Sequence, residues 1–144
     1  MSAYIGLDVG NKMVGVALCD LHGKFATPHA TYPRAGGKAE RELLKLISER
    51  RISTLVVGLP LTEGGERTEQ CGRIEQFCNR VQKRSTVGVV YIDEHLTTFE
   101  AEEQLRLAGL NHRNNKKNGV IDQLSATIIL QDYLNSKSIE PESR

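Results

Sequence analysis

The chain has 144 residues and a mass of 16.0 kDa, with 39% hydrophobic and 26% charged residues. This composition predicts one globular domain over residues 1–135 and a flexible tail over residues 136–144. The 19 basic and 18 acidic residues give a net charge of +1, which excludes a strongly basic arm or an acidic disordered tail as the main functional element. The sequence shows no apolar run near the roughly 20 residues of a membrane span and no leader, so we expect a cytoplasmic protein without membrane contact.

Short apolar, β-branched runs predict strands over residues 4–9 and 14–18, joined by the turn Gly10-Asn11-Lys12. A third strand is predicted over residues 24–30, before Pro33 and the two glycines that follow it interrupt the chain. The opening quarter of the sequence therefore predicts an antiparallel meander.

After the meander, helical and extended patterns alternate. The predicted elements are a helix from residue 39, a strand over 54–57, a helix carrying apolar positions 71–81, a strand over 87–92, a helix capped by Thr97 and Glu100, and a helix over 120–134. This order predicts an α/β fold with a five-stranded mixed sheet flanked by helices.

The three cysteines, Cys19, Cys71 and Cys78, form no C-x-x-C pair. On a shared helix, Cys71 and Cys78 would lie about 10 Å apart, too far for a disulfide. We therefore expect the cysteines to be small core residues in a reducing compartment.

Acidic residues stand at the predicted ends of distant strands. Asp8 is the one charged residue of the first strand, Asp93 and Glu94 follow the strand over 87–92, and Asp122 interrupts an apolar helix entry. A turn cap or a favourable helix dipole would also explain each residue singly. However, Thr97 already supplies the helix cap, and a carboxylate on a buried face is costly unless it is paired or binds a metal. We expect Asp8, Glu94 and Asp122 to converge at one sheet edge.

Converging carboxylates repel one another unless cations hold them together. Hard oxygen ligands select Mg²⁺ or Mn²⁺ over zinc, and these ions leave coordination positions for substrate phosphate and water. The three acids thus predict metal-assisted phosphoryl chemistry.

A segment without acidic residues, 104–121, leads directly into Asp122. It contains Arg113, Lys116 and Lys117, which predict contacts to nucleic-acid phosphates, although a solvated charge run would show the same pattern. Gly58 and Pro60, after the central strand, predict a loop beside the site, for which a plain connector is the alternative.

Four ordered motifs carry a family resemblance. They are GLDVGNKMVGVAL (6–18), VVGLPL (56–61), YIDEHLTTFEAEEQL (91–105) and NGVIDQLSATIILQDYL (118–134). Together they resemble the YqgF-type (RuvX) pre-16S rRNA nucleases, relatives of the RuvC-type Holliday junction resolvases. The resemblance implies an RNase H-like fold, divalent-metal nuclease activity and maturation of the 5′ end of 16S rRNA.

The resemblance also implies that Asp8, Glu94 and Asp122 are the catalytic metal ligands, with Asp93 adjoining them. Gly10 and Lys12 fall in the motif turn beside the site, where Lys12 would contact the substrate. His95 stands where the family usually has Arg. Neutral His has one donor and no charge, so the phosphate contact at this position is altered while the ligands are intact. Met13 is a second departure from the family pattern.

Three other functions remain open on the residues alone. A branched DNA such as a four-way junction could replace the structured RNA precursor as substrate, because fold kinship does not choose between them. A non-cleaving nucleic-acid-binding module is a second alternative, and the altered His95 position motivates it. An actin-like phosphotransferase would need two lobes, and this chain has the length of one. Either a monomer or a homodimer is compatible with the sequence.

Overall fold

The computed structural model describes residues 3–94, 103 and 119–139. Five strands form one sheet in the order β3-β2-β1-β4-β5. The elements are β1 (Tyr4–Val9), β2 (Met13–Cys19), β3 (Ala26–Pro33), α1 (Lys38–Arg50), β4 (Thr54–Leu59), α2 (Glu69–Lys83), β5 (Gly88–Asp93) and α3 (Val120–Ile139).

The sheet is mixed, as the sequence predicts. Strands β1, β2 and β3 form the antiparallel meander, and β4 and β5 join β1 as parallel neighbours. The α/β order therefore confirms the predicted fold class. The helix predicted from Thr97 lies outside the described residues, apart from Glu103, which is helical.

The period of two in the strands separates two layers. On one face, Ile5, Leu7 and Val9 of β1 belong to the main hydrophobic core, which α1 and α2 cover. On the other face, Ala17 and Val56 pack against α3 in a second, smaller cluster. Central strands that are covered on both faces have nearly continuous apolar sequences, so a charged residue within such a strand is unusual.

Helix α2 buries the stripe that its sequence predicts. Its five buried residues are Cys71, Ile74, Phe77, Cys78 and Val81. Burial raises the pKa of the Cys78 thiol to about 11, so this thiol is protonated at neutral pH. Cys19 is half-buried and packs against the α3 cluster, and all three cysteines are free thiols, as expected.

Helix α3 lies unusually close to the sheet. Its residues Ala126, Ile129 and Leu130 are fully buried. A Cβ atom built on Gly6 of β1 would lie 2.6 Å from the Ala126 carbonyl oxygen and 2.6 Å from the Leu130 Cβ. Only a glycine at this position allows the helix backbone to rest directly on the strand, which confirms the predicted deep packing of the last helix.

The third strand differs from its predicted bounds. It runs from Ala26 to Pro33 rather than over residues 24–30, because Lys24 and Phe25 donate backbone hydrogen bonds to the Asp20 carboxylate and complete a turn. Pro33 is the last residue of β3, as predicted, and Pro28 lies inside the strand, because β3 is a sheet edge, where a missing N–H is tolerated.

The last helix is longer than predicted. It continues to Ile139 rather than ending at residue 134, so the first part of the segment predicted as a tail is helical. Lys137 supports this extra turn, because its ammonium lies 4.9 Å from the centre of the Tyr4 ring and 5.5 Å from that of Tyr133. Residues 140–144 lie outside the described part. None of the described helices is long and apolar enough to cross a membrane.

Two glycine substitutions test the close packing of α3. Gly6→Ala should lower the free energy of unfolding by about 1–3 kcal/mol, because the new methyl group meets helix backbone that cannot move aside. Gly72→Ala in α2 should raise it by about 0.5–1 kcal/mol, since the methyl group there meets nothing within 4 Å and alanine favours a helix. Urea denaturation measures both, and equal stability of the two variants would contradict the packing argument.

Candidate active site

Asp8 lies in the middle of the sheet between two glycines. In the antiparallel ladder of β1 and β2, Asp8 pairs with Gly15. In the parallel ladder of β1 and β4, Leu7 pairs with Val57, which brings Gly58 beside Asp8 at the next position. Laterally paired residues point to the same face of a sheet, so the Asp8 side chain projects towards α3 above two positions that carry no side chain.

Asp122 occupies the space above the first glycine. A Cβ atom on Gly15 would lie 2.0 Å from the Asp122 carbonyl oxygen and 2.9 Å from the Asp122 Cβ. Opposed Cβ positions in an antiparallel pair are about 4.5–5.5 Å apart, so the Cβ atoms of Asp8 and Asp122 lie within about 8.5 Å of each other. The first turn of α3 therefore brings its carboxylate to Asp8.

Glu94 occupies the space above the second glycine. A Cβ atom on Gly58 would lie 2.8 Å from the Glu94 Cβ and 2.9 Å from its carboxyl carbon, Cδ. Neighbouring strands are about 4.8 Å apart, so the Glu94 carboxyl carbon lies within about 8 Å of the Asp8 Cβ. The backbone N–H of Glu94 donates to the Leu59 carbonyl at 3.1 Å, which fixes the residue at the end of β5.

The start of α3 is held in place from the sheet. The Thr31 hydroxyl of β3 donates to the Gly119 carbonyl at 2.7 Å. Asp122 lies in the first helical turn, where the helix dipole favours a negative charge. One turn further, the Ser125 hydroxyl is fully buried and has no hydrogen-bond partner among the described residues. The start of α3 thus carries two polar side chains, of which Asp122 lies against the sheet at Gly15.

The structure places Asp8, Glu94 and Asp122 on the same face of the sheet and Asp93 on the other. Asp93 pairs with Leu59, whose side chain belongs to the core on the α1 and α2 face. Asp93 therefore projects from the sheet face opposite to Asp8 and is exposed.

The donor set fits a hard divalent cation, because Asp8, Glu94 and Asp122 offer only carboxylate oxygens, which Mg²⁺ and Mn²⁺ prefer. Across residues 3–94, 103 and 119–139, no three His, Cys, Asp or Glu side chains are grouped tightly enough to enclose an ion on their own. Mg²⁺ sites usually take few protein carboxylates and leave the remaining positions to substrate and water.

The other predicted positions are distributed as follows. Gly10 closes the β1–β2 turn with a hydrogen bond from its N–H to the Met13 carbonyl at 2.8 Å, and Lys12 in the same turn is exposed. Pro60 follows β4, and its carbonyl accepts a hydrogen bond from the Thr68 hydroxyl at 3.0 Å. His95, Arg113, Lys116 and Lys117 lie outside the described residues.

The prediction that Gly58 belongs to a loop is wrong. Gly58 lies inside β4 and pairs with Ile92, because the parallel ladder with β5 continues to the end of the strand. Its function differs accordingly, since it leaves room for Glu94 rather than providing a flexible connection. Gly15 has the same function beneath Asp122 and was not singled out from the sequence. A glycine that interrupts a β-branched run is the available signal for such a close approach.

Solved structures with the same architecture identify the fold. Thermus thermophilus RuvC in complex with a Holliday junction substrate superposes with a TM-score of 0.57 and 11% identity, covering 96% of this chain and 97% of that one. A fowlpox virus resolvase in complex with Holliday junction DNA has a TM-score of 0.54 and 12% identity, covering 94% and 98%. The fold is therefore the RNase H-like fold of the RuvC-type resolvases.

Sequence relationships define the family. The RuvX family, described as "Holliday junction resolvase", matches residues 2–136. A "Putative pre-16S rRNA nuclease" of Gloeothece citriformis is 41% identical over 94% of this chain and 89% of that protein. The protein of the same name in Oleidesulfovibrio alaskensis is 39% identical over 92% and 91%. The chain belongs to the RuvX family of nucleases, which are hydrolases acting on ester bonds.

Substitution of Gly58 tests the position of Glu94. In the Gly58→Ala protein the new methyl group must displace the Glu94 side chain, and we expect the rate of nucleic-acid cleavage to fall about 100-fold, as a misplaced catalytic group does. Gly64→Ala is the matched control, because its nearest neighbours are 3.8 Å away or more in an exposed turn. Initial cleavage rates are measured on samples that circular dichroism shows to be folded. Equal rates in the two variants would contradict a requirement for the Glu94 position above Gly58.

Proposed function

We propose that this protein is a divalent-metal-dependent nuclease that cleaves phosphodiester bonds at the 5′ end of the 16S rRNA precursor in the cytoplasm. One structural observation supports the activity most strongly. Asp8 lies between two glycine positions, and Asp122 and Glu94 occupy the space above them. The names of the relatives that are 36–41% identical support the RNA substrate.

The three carboxylates would hold Mg²⁺ or Mn²⁺. When bound, such an ion polarises the phosphate and lowers the pKa of water near it. The chain itself holds the three acids rigidly. Asp8 belongs to the central strand, and Asp122 belongs to a helix that rests on the sheet backbone. The backbone N–H of Glu94 is hydrogen-bonded to the Leu59 carbonyl. Groups on such elements keep their positions better than groups on loops.

The substrate contacts in this proposal come from cationic side chains. Lys12 is exposed in the turn that follows β1, and we also assign phosphate contacts to Arg113, Lys116 and Lys117 of the segment 104–121. His95, in place of the arginine that is usual in the family, would donate one hydrogen bond and hold no permanent charge. Binding should therefore depend more on the lysines and Arg113 than on His95.

A four-way DNA junction is the second candidate substrate. The description of the family and the titles of the two superposed resolvase structures favour it. Carboxylate-bound cations act on phosphodiesters of either nucleic acid, so the carboxylates do not discriminate between them. Parallel assays on a labelled 16S precursor and a labelled four-way junction distinguish the two substrates.

Carboxamide substitutions test the metal ligands. Asp8→Asn and Asp122→Asn should each lower the cleavage rate by more than about 100-fold with Mg²⁺ or Mn²⁺, because each removes a charged oxygen ligand. Asp132→Asn is the matched control, since Asp132 is exposed on the same helix about 15 Å further along its axis. Chelator should abolish the cleavage by the wild-type protein.

Two results would overturn this assignment. One is metal-dependent cleavage that survives Asp8→Asn, which would place the site elsewhere. The other is binding of the precursor and the junction without cleavage by the wild-type protein under any of these metals, which would favour the non-cleaving binding module.

The salt dependence of binding tests the lysine pair in the segment 104–121, which has no acidic residues. Lys116→Ala combined with Lys117→Ala should weaken precursor binding and reduce the slope of log K against log salt concentration by about 1.5, because each phosphate contact releases counterions. Lys38→Ala combined with Lys45→Ala on α1 removes the same charge from another surface and serves as the control. Fluorescence titration from low to moderate salt measures both slopes. An unchanged slope in the first variant would exclude this pair from the binding surface.

A further inference from the structure

A basic surface lies beyond the carboxyl end of β1. A groove of about 710 Å³ opens between the β1–β2 turn, the segment after β3 and α2. Four cationic side chains line it: Lys12, Arg34, Arg73 and Arg80. Glu40 is the one carboxylate among the described residues that line it. We refer to this surface, defined by those four cations, as the turn groove.

The turn groove is connected to the backbone that carries Asp8. The Arg34 guanidinium donates to the Gly10 carbonyl at 3.0 Å. Gln70 donates to the Val9 carbonyl at 3.5 Å and accepts hydrogen bonds from Arg73 at 3.0 and 3.2 Å. The carbonyls of the two residues that follow Asp8 therefore each position one arginine, so the cations have a fixed place relative to the candidate active site.

The positive charge of the groove is only partly compensated. Glu40 forms its ion pair with Arg80 at 2.9 Å, on one side of the groove. Arg34 and Arg80 lie over the same Phe77 ring, with their guanidinium carbons 5.1 and 5.9 Å from its centre. Partial burial and, after it, the charge of Arg80 lower the pKa of Arg34 below its usual value. An anion in the groove would relieve this repulsion.

We propose that the turn groove binds the sugar-phosphate backbone of the nucleic-acid strand that passes through the candidate active site. This inference rests on the proposed nuclease function, and it adds Arg34, Arg73 and Arg80 to the substrate-contacting residues. Two of the Arg73 nitrogens, Nε and Nη2, are bonded to Gln70, so the guanidinium is oriented while its Nη1 donors are left for a phosphate oxygen.

The distances suit a strand that continues past the reacting phosphate. Gly10 is two residues beyond Asp8, about 7 Å along an extended chain, and successive phosphates on one strand of a duplex advance by about 3.4 Å along its axis. The turn groove therefore reaches phosphates a few nucleotides from the one at Asp8. Its cations lie on the α2 side of the sheet, so the strand would pass around the β1–β2 turn from the α3 face.

The proposed contact is with the sugar-phosphate backbone and does not distinguish between bases. Phe77 is the aromatic ring beneath the groove, and it is 1% exposed and covered by two guanidinium groups. Stacking of a base on this ring is therefore blocked. Arginine and lysine contacts to phosphate position a nucleic acid without reading its sequence.

A charge-matched pair of double variants tests the proposal. Lys12→Ala with Arg73→Ala removes two exposed cations from the groove and leaves Arg34, which supports the turn, in place. Lys83→Ala with Arg84→Ala removes two exposed cations at the end of α2 that do not line the groove. The probe is a fluorescently labelled 16S precursor fragment, titrated in chelator at several KCl concentrations, with a labelled four-way junction in parallel.

The groove variant should bind the probe at least tenfold more weakly than the wild-type protein, and its slope of log K against log salt should fall by about 1.5. The control variant should keep the wild-type slope. Arg73→Glu should weaken binding further than Arg84→Glu, and thermal melting shows that each variant is folded. Equal slopes and affinities in the two double variants would overturn the proposal.

The failure of this inference can be told apart from that of the proposed function. If the wild-type protein cleaves the precursor or the junction while the two double variants bind alike, the nuclease function stands and the turn groove is excluded. If the wild-type protein neither binds nor cleaves either probe, both proposals fall together.

Discussion

The direct contact between the backbone of α3 and the central strands is the constraint on which the rest of the structure depends. Three glycines in neighbouring strands, Gly6, Gly15 and Gly58, leave room that side chains would fill. The helix can therefore approach until its carbonyl groups meet strand backbone, and the same absence of side chains leaves space around Asp8. Larger residues would hold the helix, and Asp122 with it, away from the sheet.

This contact links stability and chemistry in one layer. Beyond Gly6, apolar packing of Ala126 and Leu130 stabilises the helix on the sheet. At Gly15 the contact is polar, because Asp122 at the start of the helix lies over this glycine. The buried Ser125 hydroxyl follows one turn later. The apolar half of the helix therefore anchors the turn that carries Asp122.

Much of this could be predicted from local sequence. Period-two and helical patterns in the sequence predict the five strands and the described helices. Asp8 and Asp122 are recognisable as charges inside apolar runs. Strand ends could not be predicted as well, because β3 depends on its edge position and on the Asp20 turn, and α3 is extended by Lys137 on two aromatic rings. The turn groove has no sequence signature at all. Its cations come from separate parts of the chain. The Gly10 carbonyl positions Arg34, the Val9 carbonyl positions Arg73 through Gln70, and Glu40 pairs with Arg80.

The near-neutral charge of the chain has a different meaning once these surfaces are located. A net charge of +1 describes an average over an acidic cluster on the α3 face and a basic groove on the α2 face, separated by the single turn over residues 10–12. Long-range attraction of a polyanion depends on the local potential, which a groove with clustered cations raises, and only weakly on the total charge. Both surfaces are attached to the same short segment of β1, so in the proposed arrangement a strand held by the cations would have its phosphates directed towards the carboxylates. On this proposal, the cations across the turn would offset the repulsion between the acids and an anionic chain.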